Sequence, residues 1–395
     1  MYDVIVIGGG PVGSRTAYRL AEMGWSVAVM EQKERLGEPV CCTGIIGQEC
    51  VSHFAIDKSV IYRQANSAKV FSPSGKLLRL WRQEPQACIV DRAAFNVALA
   101  NRAQSRGAEY LLNNPVGSIE VRDDRVRIES GHQGGESNFS EARAVVVAAG
   151  SGSRLVDGLG LGRVSDFTTG AQAEVETTGV DEVEVYLGQK VAPAFFAWLV
   201  PTSSQRALVG LLSRRRADFY LKKLLVSLVE EGKIVTAAVE PSFAGVPLKP
   251  LDKTYSNRVV VVGSAAGQVK PTTGGGIYYG LLCADIAADN LHRALETDNL
   301  SAKNLANYEK GWKRKLGGEL KVGYWSRKFY ELLSDRRIDR IFDIIRSNGI
   351  DEALLKADDL SFDWHGRAVL RLLGHRALSR TIKTIKLPFP SGRRG

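Results

Sequence analysis

The chain opens with a continuous apolar run. Residues 3–7 read Asp-Val-Ile-Val-Ile, a β-branched string that predicts a strand buried on both faces of a parallel sheet. Gly8-Gly9-Gly10-Pro11-Val12-Gly13 follows, and Ser14 to Met23 reads as a helix closed by Gly24. Ser26 to Met30 predicts a second strand, ended by Glu31. Two more buried strands are expected at 144–150, Ala-Val-Val-Val-Ala-Ala-Gly, and at 259–262, Val-Val-Val-Val. Between them, residues 165–245 change to period-2 alternation, as in Glu182-Val183-Glu184-Val185-Tyr186-Leu187-Gly188, which predicts antiparallel strands and turns. Beyond residue 300 the pattern is mainly helical. Ser334-Asp335 can cap a helix running to Asn348 with Gly349 as its terminator, and Ile338, Ile341, Phe342 and Ile345 mark its apolar face. Further on, Arg376, Arg380 and Lys383 share one helical face and Leu378, Ile382 and Ile385 another, until Pro388.

Composition changes this picture in one respect. With 44% apolar and 24% charged residues, the 395-residue chain has ordinary globular usage. The net charge of +10, however, lies entirely in residues 301–395, which carry 9 Lys and 12 Arg against 11 acids. A neutral body with a basic C-terminal quarter argues against a general nucleic-acid binder. Five cysteines, an odd number, make no disulfide framework and point to a reducing, cytoplasmic setting. A strand starting at Tyr2 leaves no room for a signal peptide, and no apolar run approaches the ~18 residues that span a bilayer. The expectation is a soluble protein or one peripheral on a membrane.

The N-terminal unit carries specific chemistry. Gly8 permits the tight turn, Gly10 lets backbone approach a pyrophosphate, and Gly13 lets helix and strand pack closely. Ser14 begins the helix whose N-terminus offers free N–H groups to phosphate. Glu31, 18 residues past Gly13, can accept bonds from ribose hydroxyls. Three later features favour FAD over NAD. Residues 88–99 form a strand end leading into a helix with Arg92 at its start; 144–150 is a strand ending in small residues; and 259–280 is a strand, a small-residue loop and a second glycine cluster opening a helix. Two glycine-rich strand ends some 250 residues apart suit a long dinucleotide gripped at both ends. The fold class expected is α/β. A Rossmann-like FAD-binding domain (1–160 and 248–300) would enclose an antiparallel-sheet substrate domain (161–247), followed by a helical basic C-terminal region (301–395).

With these segments in view, the chain resembles the geranylgeranyl reductase family of flavoproteins, within the larger group that includes the aromatic flavin hydroxylases. The resemblance rests on the GxGxxG with Glu31, on Gly37-Glu38-Pro39-Val40-Cys41-Cys42-Thr43-Gly44, on Val90-Asp91-Arg92, on the 263–277 cluster and on Tyr308 to Leu320. Hydroxylases usually put His where Gly267 stands and Gly-Asn near 276–277; Gly267 and Gly276-Ile277 favour the reductase branch. The resemblance implies that Glu31 meets the adenosine ribose, that Val116 meets the adenine through its backbone, and that Arg92 reaches the phosphates or ribityl chain. It implies that Cys42, Thr43 and Ile45 line the flavin, and that Gly276 and Ile277 approach the isoalloxazine with N–H groups. Two positions depart from the pattern: Ser264 replaces the usual Asp that accepts a ribityl hydrogen bond, and Phe196 replaces a Tyr in the stretch Phe196-Ala197-Trp198-Leu199-Val200-Pro201.

The implied reaction is hydrogenation of isolated C=C bonds in a prenyl chain, by hydride from flavin N5 plus a proton. Such a site needs a long apolar cavity and a proton source. Phe167, Tyr186, Phe195, Phe196, Trp198 and Phe243 are candidates for the lining, with Pro201 closing the substrate stretch. Cys42 is the candidate proton relay; it could equally be a conformational anchor or a small buried residue, and Cys41 could take its place if the loop is shifted. No zinc or other metal site is expected, since Cys50 lies eight residues past Cys42 and no C-x-x-C occurs. His53, His132, His292, His365 and His375 fall in no motif, and Tyr278-Tyr279 read as packing residues.

The substrate could be a prenyl lipid or a prenyl diphosphate, and the electron donor NADPH or reduced ferredoxin, acting at the flavin pocket because no separate NADPH domain is evident. The basic stretch 366–395 could lie on an anionic membrane, pack on the body, or recognise a diphosphate or an acidic donor. The oligomeric state is left open. Two competing readings stand beside the reductase: a flavin monooxygenase of an apolar or aromatic substrate, and a degenerate flavoprotein that binds lipid.

Overall fold

The computed structural model describes residues 1–37, 40–131, 137–355, 361–366 and 369. Its helices are α1 (Pro11–Glu22), α2 (Gln48–His53), α3 (Arg92–Gln104), α4 (Ala217–Glu230), α5 (Ile277–Glu296), α6 (Ala302–Glu331), α7 (Asp335–Ser347) and α8 (Ile350–Leu355). The apolar runs form the centre of the first sheet. Strands Val259–Val261, Asn138–Val147, Tyr2–Ile7, Val27–Met30 and Glu109–Leu111 lie side by side in parallel. Val4 to Val6, Val27 to Met30 and Ala144 to Val147 are essentially inaccessible, as expected for strands covered on both faces. One face carries α1, α3 and α5, and α6 packs outside α5, with Tyr308 and Trp312 fully buried. Ion pairs Arg15–Asp285 at 2.6 Å and Arg19–Asp289 at 2.9 Å tie α1 to α5.

The second sheet has seven strands in the order Ser242–Pro247, Phe167–Glu176, Arg206–Ser213, Phe196–Pro201, Val183–Leu187, Ser67–Phe71, Leu77–Trp81. Two of them, within 67–81, come from the stretch assigned by sequence to the nucleotide-binding part. Pairing is antiparallel except between Ser67–Phe71 and Val183–Leu187, which run parallel. A small third sheet joins Ile45–Gly47, Ala87–Val90 and Ile61–Ala65.

Cross-strand register sorts the second sheet into two faces. Ala197, Leu199, Val209 and Leu211 point to α4, against Leu221, Leu224, Leu225 and Leu228. The opposite face carries Phe196 beside Leu212 and Gly170, and Trp198 beside Gly210, which pairs with Gln172. This corrects two expectations. Tyr186 pairs with Ala197 and Pro201 with Ala207, so both lie on the α4 face, away from Phe196 and Trp198. Tyr186 is instead engaged by Glu184 and by Lys233, whose Nζ donates at 3.0 Å. Phe167 and Phe243 are exposed rather than pocket-lining.

The helical C-terminal region binds both parts. Asp166, at the edge of the second sheet, receives Arg214 at 2.6 Å, Lys328 at 2.9 Å and the Tyr324 hydroxyl at 2.9 Å. Burial alone would raise this carboxyl, but those three donors outweigh it and hold its pKa at about 2. On α7, Ile338 and Phe342 bury against Leu78 and Leu333. Ser334 precedes α7 without a side-chain cap; Asp335 uses its carboxylate on the Gln189 N–H at 2.8 Å instead. Among the described residues no helix is long and apolar enough to cross a membrane. The basic helical pattern of 376–388, with His132 and His375, lies outside the described residues.

Candidate functional site

A cavity of about 450 Å³ opens at the C-terminal ends of the parallel strands. Gly8, Gly10, Glu31 and Val116 line it, as do Asn96, Asn114 and the loop Gly150 to Ser153. Gly8 has φ +106, and a Cβ there would stand 2.5 Å from the Ala148 carbonyl oxygen; only glycine makes this turn. Gly13 does not reach the cavity. A Cβ on it would fall 1.9 Å from the Gly8 oxygen, so it is the contact that seats α1 on the first strand. At Gly10 a Cβ would meet nothing, leaving open space before the N-terminus of α1, which has no side-chain cap. Ser14 is buried; its hydroxyl donates to Gly9 O at 3.1 Å and accepts from Tyr110 at 2.8 Å. Glu31 accepts the Gly9 N–H at 2.7 Å and the Lys33 N–H at 3.1 Å, which fixes the carboxylate at the cavity wall.

The site continues from this cavity toward the second sheet. Asp91 caps α3 through the N–H groups of Ala93 and Ala94. Arg92 and Asn96 then share one helical face. Arg92 passes beneath Gly44, whose missing Cβ would lie 3.1 Å from Arg92 Cγ, and Gly44 itself has φ +72. The loop 41–44 sits against the Phe196/Trp198 face. Cys41 Sγ lies 3.4 Å from Ser242 O, and Thr43 Oγ1 donates to Gln172 Oε1 at 2.9 Å. Cys42, half-buried, is thus held between two anchored neighbours. Burial pushes the Cys41 thiol above its usual range, against the weaker pull of its hydrogen bond to Ser242. Ile45 begins the strand that pairs with Ile89 and continues the loop into the third sheet.

From the other side comes the second glycine cluster. Gly263 and Gly280 both abut Val12, at 3.1 and 2.5 Å from where their Cβ atoms would be. The two glycine motifs therefore meet through the middle of the first. Ser264 is the one residue of 259–271 that is not buried. Its Oγ lies 3.3 Å from the position of a Gly276 Cβ, and Gly276 with Ile277 opens α5 without a side-chain cap. Gly274 lies against Val246 and Leu212 of the second sheet. Loops 41–44 and 272–276 therefore lie against one apolar wall, formed by Phe196, Trp198, Leu212 and Val246. Trp198 lies flat across Gly210, where a Cβ would come within 2.4 Å of the indole.

These residues fit a dinucleotide. Arg92 Nε and Nη1, Asn96 Oδ1 and Asn114 Oδ1 are buried and have no hydrogen-bond partner among the described residues, a cost that a bound polar group would remove. Asn96 and Asn114 line the cavity, and Arg92 lies one helical turn from Asn96, beneath Gly44. Asn96 and Asn114 escaped the sequence reading. Asn96 carried a usable signal, one helical turn after Arg92; Asn114 carried none, because a loop after the fifth parallel strand delivers it. Trp198 Nε1 is likewise buried without a partner among the described residues, on the face of the second sheet opposite α4.

Comparison with known proteins agrees on the fold and on a flavin-dependent family. The family model described as FAD dependent oxidoreductase matches residues 3–40 and 67–220. A digeranylgeranylglycerophospholipid reductase of Methanocaldococcus jannaschii is 30% identical over 366 residues, covering 89% of this chain and 93% of the relative. A second protein of that name, from Methanothermobacter thermautotrophicus, is 31% identical, covering 86% of this chain and 90% of the relative. A geranylgeranyl bacteriochlorophyll reductase-like protein of Thermoplasma acidophilum has the same fold, with a TM-score of 0.84 at 23% identity, covering 97% of this chain and 98% of that one. A myxobacterial chondrochloren halogenase shares the fold at a TM-score of 0.67 and 15% identity, covering 88% of this chain and 90% of that one.

Proposed function

The chain belongs to the geranylgeranyl reductase family of FAD-dependent oxidoreductases, and from that premise we propose that it hydrogenates isolated C=C bonds of a prenyl chain carried on a lipid or a diphosphate. The observation that carries this reading is the apolar wall of Phe196, Trp198, Leu212 and Val246, against which the two cofactor-side loops lie. An unconjugated alkene offers no polar handle, so its recognition must come from shape and apolar contact. Bound FAD supplies, when reduced, the hydride for one alkene carbon.

The chain's own residues supply the rest. Glu31, Gly8 and Gly10 hold the adenosine and pyrophosphate end, and Arg92 and Asn96 the stretch between the cavity and the apolar wall. The uncapped N-terminus of α5 at Gly276 and Ile277 offers N–H groups where negative charge is offset best. Phe196 and Trp198 exclude water and align the chain. We assign the proton for the second carbon to Cys42 Sγ. Its support is positional: Cys41 and Thr43 are each bonded to the substrate sheet, and the half-buried Cys42 lies between them. Electrons arrive from NADPH or reduced ferredoxin. The stretch 367–395 carries eight Lys or Arg and no acid, which favours contact with an anionic membrane holding the lipid substrate.

The test separates reduction from hydroxylation. Purified protein is given a chemical or enzymatic reductant and a geranylgeranyl lipid, with and without oxygen. Substrate-dependent consumption of reductant that persists without oxygen supports the reductase. Substrate-stimulated oxygen uptake with a hydroxylated product would replace it by the monooxygenase reading.

A further inference from the structure

Segment 361–366 returns to the body beside the cofactor-side loop, and the contact between them is organised by one residue of each. Lys270 is the hub of the loop. Its N–H donates to Gly275 O at 3.0 Å and its carbonyl accepts the Gly274 N–H at 2.8 Å, so a single residue brackets the glycine pair that leads to Gly276. Its side chain runs under Gly275, where a Cβ would lie 3.8 Å from Lys270 Cδ. Its ammonium ends on Asp363 Oδ1 at 2.9 Å and Phe362 O at 3.2 Å, and both charged side chains are nearly inaccessible, 6% and 2% exposed.

Asp363 sits in a close-fitting place, with Oδ1 on Lys270 and Oδ2 buried without a partner among the described residues. A Cβ on Gly47 would stand 1.9 Å from Asp363 Oδ2, so the carboxylate occupies space that only glycine leaves. Tyr279, on the first turn of α5, donates to Asp363 O at 3.2 Å. Glu49 accepts both Tyr278 Oη and Trp364 Nε1 at 2.6 Å. His365 Nδ1 pairs with Thr272 Oγ1 at 2.6 Å. These bonds join the segment to the loop 270–276, to the start of α5 and, through Glu49, to α2 beneath it. None of the residues involved lines the cavity or the apolar wall.

We propose that Asp363, acting through Lys270, is a positioning residue: the buried pair sets the height and tilt of the Gly274–Gly276 loop, so that docking of segment 361–366 determines how the cofactor edge and the apolar wall meet. A buried ion pair is a poor source of net stability; in some folds it fixes a specific geometry instead. Here the geometry it specifies is that of the loop. The proposal rests on the reading of this loop as a flavin contact, and the experiment separates the two.

Three proteins are compared: the parent, Asp363→Asn, and the double variant Lys270→Met/Asp363→Leu, which replaces the pair by apolar groups and restores the fold if the single change loosens it. Hydrogen exchange at residues 274–277 is followed without cofactor, and FAD affinity and the kcat and KM for a prenyl lipid are measured with it. The proposal expects exchange at 274–277 to quicken in both variants, FAD to bind about tenfold more weakly, and kcat to fall more than KM changes, as misplacement of a reacting edge produces. It expects the double variant to regain thermal stability without regaining slow exchange or tight FAD. Exchange and affinity equal to the parent in Asp363→Asn would overturn it, and so would a double variant that recovers stability, exchange and affinity together, since that marks a merely structural pair. If the parent binds no FAD, the functional reading fails while the exchange comparison still decides the role of the pair.

Discussion

Tyr308→Phe removes one oxygen from the most buried part of the molecule and reaches the site without touching it. The Tyr308 hydroxyl donates to Val261 O at 2.8 Å and accepts Gln268 Nε2 at 2.8 Å; Gln268 Oε1 in turn accepts the Gly263 N–H at 2.8 Å. Tyr308 and Gln268 are both fully buried. This chain of three bonds fastens α6 to the turn that presents Ser264. Loss of the hydroxyl strands the Gln268 amide and weakens the satisfaction of Val261 O, and the vacated volume is too small to admit a water. At about 1–3 kcal/mol for each stranded buried group, and with the two coupled through one network, the expected cost is about 2–4 kcal/mol. That is a large share of the ~5–15 kcal/mol that holds a typical domain. Urea unfolding monitored by circular dichroism gives the number, and FAD titration gives the consequence: Gly263 loses its fixed partner geometry, so affinity falls along with stability. Gln268→Leu in the Tyr308→Phe background should cost less than the sum of the single changes. A Tyr308→Phe protein destabilised by less than about 0.5 kcal/mol, the size of an ordinary surface change, would refute the reasoning.

Other outcomes follow from the same structure. Ser264→Asp should tighten FAD by about tenfold, the difference between a charged and a neutral acceptor; unchanged or weaker binding in a titration would contradict the assignment of that position. Burial, with Lys270 close by, holds His365 at a pKa of about 4 against 6.5 when unfolded. Between those values the unfolded chain binds the extra proton, so the stability contributed by neutral His365 is present above pH 6.5 and is lost as pH falls toward 4. Urea midpoints measured across this range should fall more steeply in the parent than in His365→Gln; equal slopes would contradict it. Removing residues 367–395, which leaves the Gly366 N–H on Glu319, should weaken sedimentation with anionic vesicles in a salt-dependent way and leave the FAD spectrum intact. Binding equal to the parent would dismiss the membrane contact.

What the sequence disclosed depended on how local the governing contact is. Gly8, Gly13 and Glu31 were legible because strand, turn, helix and acid follow one another within 31 residues and each glycine answers a constraint set by its neighbours. Gly276 and Ser264 were legible from a second such unit. The pairing of Ser67–Phe71 with Val183–Leu187 was not, because it is a parallel contact across more than 100 residues, and the stretch 1–160 was assigned whole to the FAD-binding domain. Tyr186 and Pro201 were assigned to the wrong face for a related reason: alternation gives the period of a strand but not its phase, which only the cross-strand register supplies. Asn114 and the Lys270–Asp363 pair belong to neither class. They are brought in by loops whose course is decided by the packed elements on either side.

The most direct test is an anaerobic single turnover. The FAD-loaded protein is reduced chemically, freed of excess reductant and mixed with a geranylgeranyl lipid, while the flavin absorbance is followed and the lipid is recovered for mass spectrometry. Reoxidation of the flavin, matched by a lipid that has gained two hydrogens for each flavin reoxidised, is the predicted result, and Cys42→Ala should slow it while leaving FAD bound. A flavin that stays reduced, with the lipid recovered at its original mass, would contradict the account.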